Sequence, residues 1–284
     1  KTVSAGTALV TVTDNAFSTG NTATIAATAL SAIGNATTGA VTVSKAIKVT
    51  GTTTQLTEAL VSGSKTVSAG TALVTITDDA YSTGNTATIA ATTLSGIGGA
   101  TTGTVTLEKK VRISGEQSEV TTALIGGSSV VASQAGTEAV VTDAVSASEG
   151  AAIANVSKIT GIFSGGLTDS VGNLVTGVTT SANLNTVTTE DTDINITVSD
   201  NAFSTGNTAT IAAAGLSAVK AKTSGTLTVS KAVKIVGSQA QLTKALVTDS
   251  ITASTALVTI NDAAYSTGNT ATIAATALSG IGGA

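Results

Sequence analysis

The sequence contains no cysteine, histidine, methionine, proline or tryptophan, and these absences exclude several classes of chemistry. Without cysteine there is no disulfide framework and no thiol chemistry. Without histidine or cysteine, a Ser–His or Cys–His nucleophile cannot form and the usual zinc ligands are missing. A carboxylate pair, as in glycosidases, stays open in principle, but the recurring acidic residues look like turn residues. We therefore expect no enzyme activity and no cofactor, with calcium as the one metal to consider.

Charge and long apolar stretches are also scarce. Charged residues make up 11% of the chain, the net charge is −4 and there is no basic block, so nucleic-acid binding has no electrostatic footprint. No apolar run is long enough to span a membrane. Long-lived surface proteins gain from lacking oxidisable cysteine and methionine, so we expect an extracellular or cell-surface location. The chain begins and ends within a repeat, which indicates a piece of a longer protein.

The chain does contain a sequence pattern that repeats along its length. The wording of residues 1–10 returns at residues 65–74, and a marker aspartate recurs at intervals of 64, 65, 57 and 62 residues, at Asp14, Asp78, Asp143, Asp200 and Asp262. Recurrence at a nearly fixed period is typical of an array in which each unit buries its apolar face on its neighbours. We divide the chain into repeats at 1–64 and 65–128, a degenerate third at 129–188, a fourth at 189–250 and a partial fifth at 251–284.

The first repeat predicts the fold of the array. Its pattern of alternating and 3.6-residue periodicity predicts strands at 9–13, 39–44 and 46–50, a corner near Lys45, and helices at 22–33, ended by Gly34, and at 54–61. Strands joined through helices are normally parallel, with right-handed crossovers. We expect a β-rich repeat protein, an elongated solenoid of mostly parallel strands with short helices at the corners. Tandem small β-sandwich domains are the alternative.

Acidic residues offer the one candidate metal site. Asp191 and Asp193, together with the marker Asp200, form the densest acidic cluster, and calcium prefers several hard oxygens that converge on one point. In the competing interpretation each marker aspartate ends a strand and caps the turn that follows it. The glycine-and-aspartate nonapeptide of calcium-binding β-rolls is absent.

Two further sets of residues recur at one position of the repeat. A basic ladder consists of Lys48, Arg112 and Lys234. It predicts either an anion-binding face or a solvated strand face that discourages edge pairing. Loop aromatics recur at Phe17, Tyr81, Phe203 and Tyr265. We expect them to pack the loop onto the sheet, and the alternative is a row of exposed rings for sugars or for neighbouring chains.

Threonine pairs such as Thr11/Thr13, Thr22/Thr24 and Thr75/Thr77 supply many hydroxyl groups. Rows of threonine on one bare face would resemble an ice-binding solenoid, provided that the rows are regular. Threonine is also simply a common strand residue. The pattern therefore leaves both interpretations open.

The repeated wording also resembles a known group of proteins. The pattern Val-Thr-Asp-x-Ala…Ala-Thr-Ile-Ala-Ala-x-x-Leu-Ser-x-Ile…Thr-Thr-Gly-x-Val-Thr, and the phrase Leu-Thr-Asp-Ser-Val-Gly-Asn-Leu at 167–174, resemble the Thr/Ala-rich repeats of very large bacterial, especially cyanobacterial, surface proteins. The resemblance implies a filament, sheath, adhesin or S-layer role and transfers no catalytic residue. We expect a structural rod that associates with copies of itself, end to end or laterally. An adhesin stalk that contacts glycans or cells is the alternative.

Overall fold

The structure is a computed structural model and describes residues 6–61, 67–127, 130–264, 266–267, 269 and 272–283. The chain forms two compact units. Unit 1 comprises residues 1–142 and 155–162, and unit 2 comprises residues 143–154 and 163–284. The boundary between the units falls within the degenerate third repeat.

Short strands and short helices alternate along the described chain. The strands are β1 (Val10–Val12), β2 (Thr24–Ala26), β3 (Val41–Val43), β4 (Lys48–Gly51), β5 (Val67–Ser68), β6 (Leu73–Ile76), β7 (Thr88–Ala90), β8 (Val105–Leu107), β9 (Arg112–Gly115), β10 (Val130–Ala132), β11 (Thr137–Val141), β12 (Ile159–Phe163), β13 (Leu167–Asp169), β14 (Val175–Thr176), β15 (Thr179–Thr180), β16 (Ile196–Val198), β17 (Thr210–Ala212), β18 (Leu227–Val229), β19 (Lys234–Gly237) and β20 (Leu257–Ile260). The helices are α1 (Ala27–Ala36), α2 (Thr53–Leu60), α3 (Ala91–Gly99), α4 (Gln117–Leu124), α5 (Ala147–Ala154), α6 (Val171–Leu174), α7 (Ala182–Glu190), α8 (Ala213–Lys220), α9 (Gln239–Leu242), which continues as a π-helical segment (Thr243–Thr248), and α10 (Ala275–Gly282).

Unit 1 is built from strands that return beside earlier ones. Its three sheets have the strand orders β1-β3-β5, β10-β8-β6-β4-β2 and β12-β11-β9-β7. Pairing is parallel, so that Val10 lies beside Val41 and Val41 beside Val67. We call each stretch of two or three strands and one helix a layer. A new layer begins where the chain returns to a sheet and adds the next strand to it. The helices of successive layers pack on one another, α1 on α2, α2 on α3 and α3 on α4.

Unit 2 uses the same construction with one departure. Its parallel sheets have the orders β13-β16-β18 and β17-β19-β20, while β14 and β15 form an antiparallel hairpin. The hairpin lies in the degenerate third repeat, where α5 packs against α7. Phe163 is buried there at 2% exposure, and it is the one aromatic residue that does not occupy the repeated loop position.

Aliphatic side chains form the core of both units. In a Val-Thr-Val strand the valines point inward and the threonine outward, because successive side chains of a strand alternate between faces. Val41 and Val43 are accordingly buried in β3, while Thr42 is exposed. The inward residues of neighbouring layers stack on one another, and β-branched and leucine side chains therefore fill most of the interior, with Phe163 as the one buried aromatic ring among the described residues.

The predictions for the first repeat agree in part with these elements. The predicted strands occur as β1, β3 and β4, the second helix occurs as α2, and Lys45 lies exposed between β3 and β4. The bounds of the first helix were wrong. Thr24–Ala26 forms β2 because it pairs with β4, and α1 continues past Gly34, which is buried. The fold is α/β, with mostly parallel strands in several sheets and short helices.

Candidate functional site: the repeated contacts between layers

Aspartates at strand ends accept hydrogen bonds from the first residue of a helix in the preceding layer. The Asp78 carboxylate accepts the backbone N–H of Thr53 at 2.6 Å and the Thr53 hydroxyl at 2.9 Å. Thr53 begins α2. The first N–H groups of a helix have no partner within the helix and carry the positive end of its dipole, so a carboxylate there both completes a hydrogen bond and stabilises charge.

The same arrangement recurs three times in unit 2. The acceptor–donor pairs are Asp169 with the N–H of Ala147 at 3.0 Å, Asp200 with that of Val171 at 2.6 Å, and Asp262 with that of Gln239 at 2.6 Å. These donors begin α5, α6 and α9. In the capping interpretation, each marker aspartate was expected to cap the turn that follows it. Asp78, Asp200 and Asp262 instead cap the start of a helix in the preceding layer, which comes earlier in the chain.

A local capping box completes several of these helix starts. At α2 the Thr52 side chain accepts the N–H of Gln55, whose side chain accepts the N–H of Thr52. Ser238 and Gln241 repeat this exchange at α9. Each box satisfies two donors, and the aspartate of the next layer satisfies a third. The helix start is thus complete only when the following layer is in place.

A Thr-Thr-Gly or Thr-Ser-Gly sequence after α1, α3 and α8 fastens the end of the helix to the preceding layer. The Thr101 hydroxyl donates to the carbonyl of Ala72 at 2.6 Å and accepts the N–H of Gly103 at 3.0 Å. Thr37 and Thr223 make equivalent bonds to Ala8 and Ile194. A Cβ on Gly103 would lie 2.2 Å from the Ala72 oxygen, so only glycine permits this approach. We call this group the threonine clamp.

The structure brings the loop aromatics and the basic ladder together. The Lys48 ammonium lies 5.0 Å from the centre of the Phe17 ring, the Arg112 guanidinium 4.1 Å from that of Tyr81, and the Lys234 ammonium 5.2 Å from that of Phe203. These are cation–π distances. Each ring is half-buried and each pair joins two layers, so these aromatics pack the loop onto the next strand. Tyr265 lies outside the described residues.

Each loop aromatic is followed by a Ser-Thr-Gly-Asn turn of constant geometry. In the first copy Ser18 and Asn21 exchange backbone hydrogen bonds at 2.8 and 3.0 Å, and the Asn21 side chain donates to the carbonyls of Asn15 and Ala16. The turns at Ser82, Ser204 and Ser266 repeat the backbone exchange. The asparagine is thus committed to the loop itself, which holds the preceding aromatic residue against its basic partner.

Two members of the acidic cluster, Asp191 and Asp200, accept hydrogen bonds from different parts of the backbone. The Asp191 carboxylate accepts the N–H of Phe163 at 2.7 Å, while that of Asp200 accepts the N–H of Val171. Burial raises the pKa of Asp191 above its ordinary 3.8, the neighbouring Asp193 also raises it, and the Phe163 N–H opposes the shift. Within the described residues no three acidic side chains converge as a metal site requires. Calcium binding stays a prediction.

These residues can be identified from the sequence as recurring positions, but their partners were not predicted. The aromatic and its basic partner are 31 residues apart in all three pairs, since Phe17 precedes Lys48, Tyr81 precedes Arg112 and Phe203 precedes Lys234 by that distance. This constant offset would have identified the pairing. The aspartate contacts have no constant offset, and the sequence offers no comparable signal for them.

Comparisons with protein-family models, curated proteins and solved structures find no match to this chain. In the part of the chain that the structure describes, every helix is too short or too polar to cross a membrane.

Proposed function

We propose that this chain is a structural, extracellular repeat protein that forms a rod and associates with copies of itself into a filament, sheath or surface layer. One observation carries the proposal. The residues that recur in the regular repeats, namely the threonine clamp, the capping aspartate and the aromatic–basic pair, form contacts between layers. A chain that repeats its stacking contacts and varies elsewhere is suited to extension, and we propose no catalytic role for it.

Exposed apolar side chains in the last described layer offer a surface on which a further layer would stack. Val258 is 38% exposed and Leu278 is 45% exposed, whereas Val74 and Leu94, at the same positions of an inner layer, are 1% and 0% exposed. Inside unit 1, β8 and α4 cover the inner positions by parallel pairing and helix packing. A further layer, whether it continues this chain or belongs to a second copy, would cover Val258 and Leu278 in a similar way and remove their apolar surface from water.

Small-angle X-ray scattering over a concentration series tests this proposal. We expect a rod of constant cross-section that lengthens as concentration rises. Leu278→Asp should reduce the lengthening, while Ile125→Asp, at a comparably exposed residue of an inner layer, should not. A compact particle of fixed size, or equal effects of both substitutions, would contradict the proposal. Adding calcium and then a chelator shows whether the acidic residues respond to the metal.

A shallow groove in unit 1 favours glycan binding as a second candidate function. The groove has a volume of about 320 Å³, and its lining includes Phe17, Lys48, Thr104 and Glu108. An aromatic ring beside charged and hydroxyl groups is suited to a sugar. Thr104→Tyr would fill the groove, and Thr226→Tyr places the same side chain at the equivalent position of another repeat. Calorimetric titration with oligosaccharides should then show binding that the first substitution removes and the second preserves.

A further inference from the structure

One sheet of unit 2 carries an outward face of uncharged polar side chains. Its central row crosses the three strands of the sheet β13-β16-β18 and continues to Thr252, and shorter rows flank it on both sides. We call this set the hydroxyl face: Thr168, Thr197, Thr228 and Thr252 in the central row, Asn195 and Thr226 on one side, and Ser170, Ser199 and Ser230 on the other. None of the nine residues is buried, and none carries a charge or an aromatic ring.

Strand register gives the hydroxyl face two regular spacings. Thr168 is the Cα partner of Thr197, Thr197 is that of Thr228, and Thr228 forms a bridge with Thr252. Neighbouring strands lie about 4.8 Å apart, and alternate residues of one strand lie about 6.6 Å apart. The intervening residues Ile196 and Leu227 are buried at 1% exposure, which fixes the threonines on the outer side.

Hydrogen bonds hold part of this face in place. The Thr226 hydroxyl donates to the side-chain oxygen of Asn195 at 2.8 Å, and the Ser230 hydroxyl donates to the carbonyl of Val198 at 3.0 Å. Side chains that are already ordered lose little conformational entropy when they bind a rigid surface.

The chemical groups on the hydroxyl face limit the kinds of ligand that it can bind. Without charge it attracts neither ions nor phosphates, and without aromatic rings it lacks the stacking surface that sugars use. What it presents is rows of hydroxyl and methyl groups at two fixed spacings, which suits a partner with an ordered lattice of hydrogen-bonding oxygens. We propose that the hydroxyl face binds the surface of ice. This inference is independent of the proposed rod.

In unit 1, the surface that carries Thr106, the counterpart of Thr228, provides an internal contrast. There the row Thr50, Thr75 and Thr106 continues into Val131 and has Lys48 and Glu108 at its sides. Charges attract disordered water and interrupt the rows, so this surface should not bind ice. Thr106 and Thr228 hold the same position of the repeat and are both half-buried. They therefore form a matched pair for substitution.

Thermal hysteresis, the gap between the melting and freezing temperatures of a single ice crystal, tests the inference. The full chain should produce hysteresis, Thr228→Lys should abolish it, and Thr106→Lys should leave it unchanged. Thr228→Val keeps one methyl group and removes the hydroxyl, and should weaken the effect with less risk to folding. Circular dichroism of each variant checks the fold.

Two results would overturn the inference. One is the absence of both hysteresis and inhibition of ice recrystallisation by the folded chain at high concentration. The other is an equal loss of activity in Thr106→Lys and Thr228→Lys, because ice binding would then not depend on the hydroxyl face. Neither result affects the scattering experiment on self-association, so the two proposals fail separately.

Discussion

Residues 6–127, the regular region, follow the repeat closely, whereas residues 143–200, which span most of the degenerate third repeat and the start of the fourth, follow it poorly. The two regions, the second of which we call the degenerate region, keep different parts of the contact between layers. The regular region has the Ser-Thr-Gly-Asn turns, the aromatic–basic pairs and the threonine clamps. In the degenerate region Phe163 stands where Thr101 stands in the second repeat. The carboxylate on a helix start persists, at Asp169 and Asp200.

The close approach of a glycine to the preceding layer also persists. A Cβ on Gly165 would lie 2.1 Å from backbone atoms of Asp143, as close as the approach of Gly103 to Ala72 in the regular region. The comparison separates two kinds of contact. We infer that backbone approach and helix capping are what layers need to stack in register, while the loop and its cation–π pair add stability to a stack that already exists.

The largest expected effect comes from replacing a glycine that lies against the backbone of the preceding layer, in either region. Gly103→Ala and Gly165→Ala place a methyl group within the backbone of the preceding layer and should each destabilise the fold by about 3 kcal/mol. Gly84→Ala is the control, because its Cβ meets no atom within 4 Å. Thermal unfolding followed by circular dichroism measures all three. A mild effect of Gly165→Ala would show that the degenerate region stacks in another way.

Removal of a capping carboxylate should have the next largest effect. Asp78→Ala and Asp200→Ala each leave a helix N–H without its acceptor and should cost about 1 to 2 kcal/mol, similarly in the two regions. Asp79→Ala provides a control, since its side chain is 88% exposed and pairs at the surface with Lys109. That substitution should cost about 0.5 kcal/mol or less. Urea unfolding compares the three variants, and equal losses at Asp78 and Asp79 would refute the capping account.

The strands, helices and aspartate contacts differ in how well they could be predicted from the sequence. The strands β1, β3 and β4 and the helix α2 follow from local alternation and periodicity, which depend on neighbours in the chain. Asp78 is visible as a recurring residue, but its partner Thr53 lies in another layer, and the offset between such partners changes from layer to layer. Strand β2 was missed because Thr24–Ala26 is extended only through its pairing with β4.

A smaller effect, on the pH dependence of stability, comes from Asp191 in the degenerate region. Because the pKa of Asp191 is raised in the folded state, the folded chain holds that proton more tightly than the unfolded chain. The stabilisation is therefore complete at acid pH and is lost as the pH rises from 3.8 through the folded-state pKa. Asp191→Asn keeps an acceptor for the Phe163 N–H and removes this loss. Unfolding temperatures measured across this pH range should show the wild type falling relative to the variant, and parallel curves would contradict the assignment.

The smallest effect should come from the aromatic–basic pairs of the regular region. Tyr81→Leu removes the shorter cation–π contact, in which the guanidinium of Arg112 also bonds Glu138 at 2.7 Å. It should cost about 1 kcal/mol, and Phe17→Leu, with Lys48 at the longer distance, about 0.5 kcal/mol. Unfolding midpoints in denaturant measure the difference. The reverse order would show that ring burial, and not the cation, determines the effect.

Disulfide trapping tests most directly whether both regions stack in parallel register, and the absence of native cysteine makes it unambiguous. Thr11→Cys with Thr42→Cys in the regular region, and Thr168→Cys with Thr197→Cys in the degenerate one, place cysteines at Cα partner positions. Both pairs should form disulfides on mild oxidation. Thr11→Cys with Ser44→Cys, and Thr168→Cys with Ser199→Cys, are displaced by two residues, roughly 8 Å apart, and should not. Efficient bridging of a displaced pair, or none at the partner positions, would contradict the layered account.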